Sequence, residues 1–139
     1  MKVISEHIEI PTKGNTDIIN ISEKINSVVN KSGIKNGIVN LFVVGSTAGL
    51  STMEYEPGLL KDLPETFEKI ASAKHRYHHD DTWQDGNGYA HVRSTLLGTS
   101  LTIPIEDGAT QLGVWQQVVL IDFDNRPRQR KIICKILGV

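Results

Sequence analysis

Apolar and polar residues alternate over KVISEHIEI, residues 2–10, placing Val3, Ser5, His7 and Glu9 on one side and Ile4, Glu6, Ile8 and Ile10 on the other. A period of two marks a half-buried antiparallel strand, and Pro11 and Gly14 predict its end. Residues 15–21 (NTDIINI) predict a short strand running to Ser22. Ser22 is an acceptable N-cap, and Ile25, Val28 and Val29 then recur at helical spacing up to a terminating Gly33, so a helix is predicted over 22–32. The run GIVNLFVV from Gly37 is too apolar for a solvated face and predicts a central strand; Gly45-Ser46-Thr47-Ala48-Gly49 is a small-residue turn or bulge before a further strand, LSTMEYE. Glu56-Pro57-Gly58 opens a second helix over about 58–72, with Leu59, Leu60, Leu63, Phe67 and Ile70 as its apolar stripe and Pro64 as an awkward interruption. Four strands are predicted at 89–97, 99–105, 114–123 and 129–137, divided by turns at Gly98, Asp107-Gly108 and Asn125-Arg126-Pro127.

Two helices followed by a run of strands is an α+β pattern. A chain of 139 residues fits one domain, 1–139, and is long enough to bury a real core. Fifteen basic against sixteen acidic residues leave a net charge of −1, which disfavours a nucleic-acid partner. The beginning, MKVISEHIEI, lacks a signal-peptide pattern and no apolar run approaches a membrane span, so a soluble, intracellular, cytoplasmic protein with no membrane partner is expected. Cys134, the one cysteine, lies in the alternating run KIICKILGV and is expected to be a buried, inert thiol.

The segment from His78 to Arg93 breaks the pattern, with three imidazoles, three carboxylates, an arginine and two glycines in sixteen residues. No packed core needs that composition; imidazole with carboxylate is the vocabulary of a divalent-metal site or an acid/base pair. Arg93, two residues past His91 on a predicted strand, would share its face. There it would either clamp an anion together with Ser46 and Thr47 or make an ordinary ion pair. The Asp85-Gly86-Asn87-Gly88 sequence fits either a tight turn or part of a site. Arg126, Arg128 and Arg130 alternate on the last strand, where a solvated edge explains them more simply than nucleic-acid binding. Trp115 is expected in the core or at a subunit contact, and Gln116 offers an amide to a ligand or to backbone.

Taken in order, these motifs resemble the YjbQ-like, or secondary thiamine-phosphate synthase, family over nearly the whole chain. The resemblance rests on the GSTAG turn with Glu54-Tyr55-Glu56-Pro57-Gly58, on Tyr77-His78-His79-Asp80 with Trp83, and on Asp85-Gly86-Asn87-Gly88 with His91-Val92-Arg93. Leu97 to Pro104, Leu112 to Gln117, and Asp122-Phe123-Asp124 with Arg126-Pro127-Arg128 continue it. It implies a compact α+β subunit with a β-sandwich core of mostly antiparallel strands, a homotrimer, and a metal pocket near the histidines. It also implies a transferase that joins hydroxymethylpyrimidine diphosphate to thiazole phosphate with release of diphosphate.

On that basis His79, in the family's Tyr-x-His-Asp pattern, and His91 are the expected metal ligands, with Asp85 completing the set and Asp80 or Asp81 as a further ligand or support. The ion is a divalent metal, zinc first, with magnesium and manganese as alternatives. Many members carry histidine at the start of the small-residue turn, where this chain has Gly45-Ser46, so Glu54 or Glu56 would have to compensate. Arg93, Asp85, Ser46 and Glu54 are the catalytic candidates, acting on a small anionic or phosphorylated metabolite. Metal-dependent hydrolysis of such a metabolite would use the same groups, and a non-catalytic metal- or metabolite-binding trimer is the reading from a different class.

Overall fold

The computed structural model describes residues 1–139 and carries eight strands and four helices. In chain order they are β1 (Lys2–Thr12), β2 (Asp17–Asn20), α1 (Ser22–Ser32), β3 (Gly37–Val44), β4 (Ala48–Glu54), α2 (Pro57–Ile70), α3 (His78–Trp83), α4 (Gly88–Leu97), β5 (Ser100–Glu106), β6 (Ala109–Thr110), β7 (Gln116–Asp122) and β8 (Arg128–Gly138). Antiparallel pairing gives a five-stranded sheet in the order β1-β8-β3-β5-β6 and a three-stranded sheet in the order β2-β7-β4. The fold is α+β, as the residue pattern predicted, and its strands pair antiparallel, as the family resemblance implied.

The core lies in two layers that share β7. Val118 and Leu120 point to one side, joining Ile25 and Val29 of α1 and the inward residues of the large sheet, among them Val39, Leu41, Ile132 and Ile136. Val119 and Ile121 point to the other side, against Tyr89 and Ala90 of α4, with Leu59, Leu63 and Phe67 of α2 packed on that cluster. Burial on both faces is why VVLI carries no polar alternation; each such side chain contributes roughly 1.5–3 kcal/mol of transfer free energy. GIVNLFVV lies inside its sheet as predicted, yet Phe42 and Val44 of its other face are exposed in the single chain.

Both predicted helices form. α1 ends on Gly33 in the left-handed conformation at φ 70°. Its N-cap, however, is Ile21; the Ser22 hydroxyl instead accepts from the Val118 N–H at 2.8 Å. α2 starts at Pro57, and the Glu56 carboxylate caps it by accepting from the Gly58 and Leu59 N–H groups. Cys134 is fully buried, and burial raises its thiol pKa to about 11, so it is held as the unreactive thiol.

Three expectations are corrected. Residues 89–97, read as a strand, form α4: its buried face is Tyr89, Ala90, Arg93 and Ser94, a helical spacing hidden because half of it is polar. The preceding His/Asp segment contains the short helix α3, so the helices number four rather than the two expected. Finally, β8 is no edge. It runs between β1 and β3, and Arg130 is 7% exposed on the inner side.

Candidate metal centre

α3 and α4 are joined by a tight reversal. Gln84 and Gly86 take positive φ of 55° and 66°, folding Asp85 back toward α3. Gly88 then opens α4 against Tyr77, where an added Cβ would lie 2.5 Å from the tyrosine's own Cβ. The reversal brings the His79 Nδ1 to 3.7 Å from an Asp85 carboxylate oxygen and 3.9 Å from one of Asp80. A ligand atom from each of these three residues lies within 4.8 Å of the other two. The His91 ring, one helix further, sits against the His79 ring with centroids 4.2 Å apart.

His79 Nδ1 is the one buried side-chain polar atom of the chain without a hydrogen-bond partner. Buried polar atoms are normally satisfied, and an orphan needs a reason. The carboxylate oxygens facing it are too far for a hydrogen bond and near enough to converge with it on one cation. The donor set, one imidazole and two carboxylates, suits a divalent ion of the zinc, manganese or iron type. The residues present therefore fit the metal that the sequence reading implied, with Asp80 as a member of the set. His91 is a neighbour of it: burial, and then the adjacent His79, push its pKa below the ordinary imidazole value, so its ring is neutral at neutral pH.

The site is braced from β7 and the turn after it. Asp85 accepts from the Asn87 N–H at 3.2 Å, and the Asp85 carbonyl accepts from the Asn125 side chain at 2.8 Å. Asn87 in turn donates to Asp124 at 3.2 Å and accepts from the Asn125 N–H at 3.1 Å. Asp124, with no exposed surface, also accepts from Thr47 at 2.9 Å and from Arg128 at 3.1 Å. Burial would raise its pKa, but the Thr47 and Asn87 hydrogen bonds and the Arg128 charge hold it below the usual carboxylate range. Asp122, equally buried, holds Arg130 by two bonds of 2.7 and 2.8 Å and accepts from Thr12 at 2.5 Å.

Other candidates are placed elsewhere. Two residues apart on a helix are about 200° apart around it, so Arg93 faces away from His91, into the protein. Its guanidinium donates to Glu68 at 2.8 Å, to the Ala71 carbonyl at 3.0 Å and to Thr16 at 3.0 Å, and lies over the Tyr89 ring. The ordinary ion pair is the reading that holds, and Arg93 has no donor direction left for a ligand beside His91. Glu54 is exposed at the far end of β4, roughly 20 Å along the strand from Ala48, and Glu56 is engaged as the α2 cap. Neither replaces the missing histidine within one chain. Ser46 is exposed in the β3–β4 turn, next to Thr47. Gln116 bonds Thr52 and the Gly113 N–H rather than offering its amide, and Trp115 is 73% exposed, outside the core.

The sequence reading of the site leaves out Asn125, Asp122, Asp124 and Arg130. Their signal was present: two carboxylates at the end of the apolar run VVLIDFD must be paired if buried, and Arg128 and Arg130 follow at strand spacing.

Comparison with known proteins agrees with the residues. The family described as UPF0047 protein YjbQ-like matches residues 6–139. The chain is 33% identical over 138 residues to a UPF0047 protein of Methanothermobacter thermautotrophicus, covering 99% of this chain and 94% of that protein. A UPF0047 protein of Archaeoglobus fulgidus is 35% identical, covering 94% of this chain and 98% of the relative. The crystal structure of a YbjQ-like protein of unknown function from Sulfolobus solfataricus superposes with a TM-score of 0.93 at 32% identity, covering 99% of both chains. With the matched motifs spread from β1 to β8, the chain belongs to the YjbQ-like UPF0047 family.

Proposed function

We propose that this chain is a metal-assisted enzyme of the cytoplasm, working as a homotrimer on a small phosphorylated metabolite, and that its reaction is the thiamine phosphate-forming transfer implied by the family resemblance. The observation that carries the metal part is the buried, unpartnered His79 Nδ1 facing Asp80 and Asp85. A divalent ion held by these three residues would supply charge neutralisation for a leaving diphosphate. Asp85 is held in place by Asn87 and Asn125, and His79 by the packing of α3 on α4. His91, neutral beside them, accepts or returns a proton at its imidazole. The same neutral imidazole favours one second reading, hydrolysis by an activated water. The exposed Phe42 and Val44 on the outer face of the large sheet support a subunit contact. No helix is long and apolar enough to cross a membrane.

The test joins elemental analysis to an assay. Untagged protein is expected to hold near one divalent metal per chain, and His79→Ala none. The metal-loaded protein is expected to form thiamine phosphate from hydroxymethylpyrimidine diphosphate and thiazole phosphate, with light scattering reporting a trimer. Failure to take up zinc, manganese, iron or nickel would overturn the metal reading; metal uptake with no thiamine phosphate formed would overturn the transferase reading.

A further inference from the structure

Gly45, Ser46 and Thr47, between β3 and β4, present three consecutive backbone N–H groups, none of which donates to any acceptor in the chain. Thr47 is itself buried, at 5% exposure. Unpaired N–H groups in succession at a turn form an anion-binding concavity, because each carries a partial positive charge that the chain leaves uncompensated. A second observation points to the same place. Arg130 is 8% exposed at its side chain, and its Nε and one terminal nitrogen are spent on Asp122 and Thr47. Its other terminal nitrogen, Nη1, makes no hydrogen bond and lies 2.7 Å from where a Cβ of residue 45 would stand. Glycine at 45, with φ 141°, is what leaves that nitrogen uncovered. The Ser46 hydroxyl, exposed and unbonded, stands at the rim.

We infer that the Gly45–Thr47 turn and Arg130 Nη1 form a seat for a tetrahedral oxyanion, the phosphoryl group of the metabolite. The seat takes over the anion-binding role that Arg93 cannot fill. It adjoins the metal centre through one carboxylate: Asp124 accepts from Thr47 of the turn and from Asn87 of the metal loop. A phosphorylated substrate would thus set its phosphoryl group on the turn and extend toward His79 and His91. Asp122 and Asp124 offset the charges of Arg128 and Arg130, so recognition here works by directed donors rather than by a strong net field. That favours a compact ligand with several acceptor oxygens over an extended polyanion. The seat rests on the proposed function only for its role in turnover, since none of its donors belongs to the metal set.

The test is a titration of chelator-treated, isotopically labelled full chain with inorganic phosphate, followed at the backbone amides by NMR. Saturable shifts largest at Gly45, Ser46 and Thr47 are expected. Arg130→Lys, which keeps the charge but loses Nη1, is expected to weaken binding roughly tenfold, as fits one charge-assisted hydrogen bond. The absence of saturable shifts at the three amides in the wild-type protein, or their appearance elsewhere, would overturn the seat even if the variant failed to fold. An unchanged affinity in a folded Arg130→Lys would overturn the arginine's part. Because the protein is metal-free, phosphate binding without metal uptake would leave the seat standing while the metal reading falls, and metal uptake without phosphate binding would do the reverse.

Discussion

Two polar clusters meet at Asn87, and they differ in one respect. On one side, Asp122, Asp124, Thr12 and Thr47 and the inner nitrogens of Arg128 and Arg130 form a buried network in which both carboxylates accept several bonds. On the other, His79, Asp80 and Asp85 converge on a gap, and the buried imidazole nitrogen is unpaired. Burial makes polar groups expensive in both places, but only the first cluster is offset by its own partners. The first therefore holds the β7–β8 turn in place, and the second leaves a buried nitrogen without a partner from the chain. Composition alone does not separate them: each is a group of charged residues a few positions apart in sequence.

The sharpest way to break this contrast is to unpair the satisfied side. Asp122→Ala leaves the Arg130 guanidinium buried with its main acceptor gone, and removing one partner of such a pair costs about 3–5 kcal/mol. Urea unfolding should show this as a lower midpoint with an unchanged slope. A loss within about 0.5 kcal/mol would mean that the network is not the structural half of the pair.

On the unsatisfied side the loss should be much smaller. His79→Ala removes an unpaired buried atom, so metal-free protein should lose at most about 1 kcal/mol, less than a satisfied hydrogen-bonding group would cost. The difference should emerge on adding metal: wild type gains about 2.7 kcal/mol at a free concentration a hundredfold above Kd, and His79→Ala gains none. Thermal unfolding with and without zinc reads both effects. Equal stabilisation of the two proteins would show that the cation binds elsewhere.

The same contrast explains what could be read from the sequence. α1, α2 and most strands were legible because their buried faces are apolar, as in Ile25 with Val29 or Leu59 with Leu63. α4 was not, since Arg93 and Ser94 occupy half of its buried face and their partners, Glu68, Ala71, Thr16 and Ala48, lie far from it in sequence. β8 was placed at an edge because arginines at alternate positions read as solvent-facing until Asp122 and Asp124 are known to lie beneath them. His79 and Asp85, which the structure places 3.7 Å apart, were legible as candidates because they are local to one segment. Their bracing by Asn125, some forty residues away, is tertiary and left no local trace.

The smallest effect expected is a pH dependence at the junction of the two clusters. Asp124 carries a pKa held below its unfolded value of about 3.9 by Thr47, Asn87 and Arg128. A depressed carboxylate contributes stability that is fully present above the unfolded pKa and is lost as pH falls through the folded one. Asp124→Asn imitates the protonated form, so wild type should exceed it by a constant margin from neutral pH down to about 4, and the margin should shrink progressively below that. Unfolding midpoints measured at neutral pH and at steps below 4 would trace the curve. A margin that persists undiminished into strong acid would mean that the Asp124 charge is not what joins Thr47 to Asn87, and that the turn and the metal loop are held by shape instead.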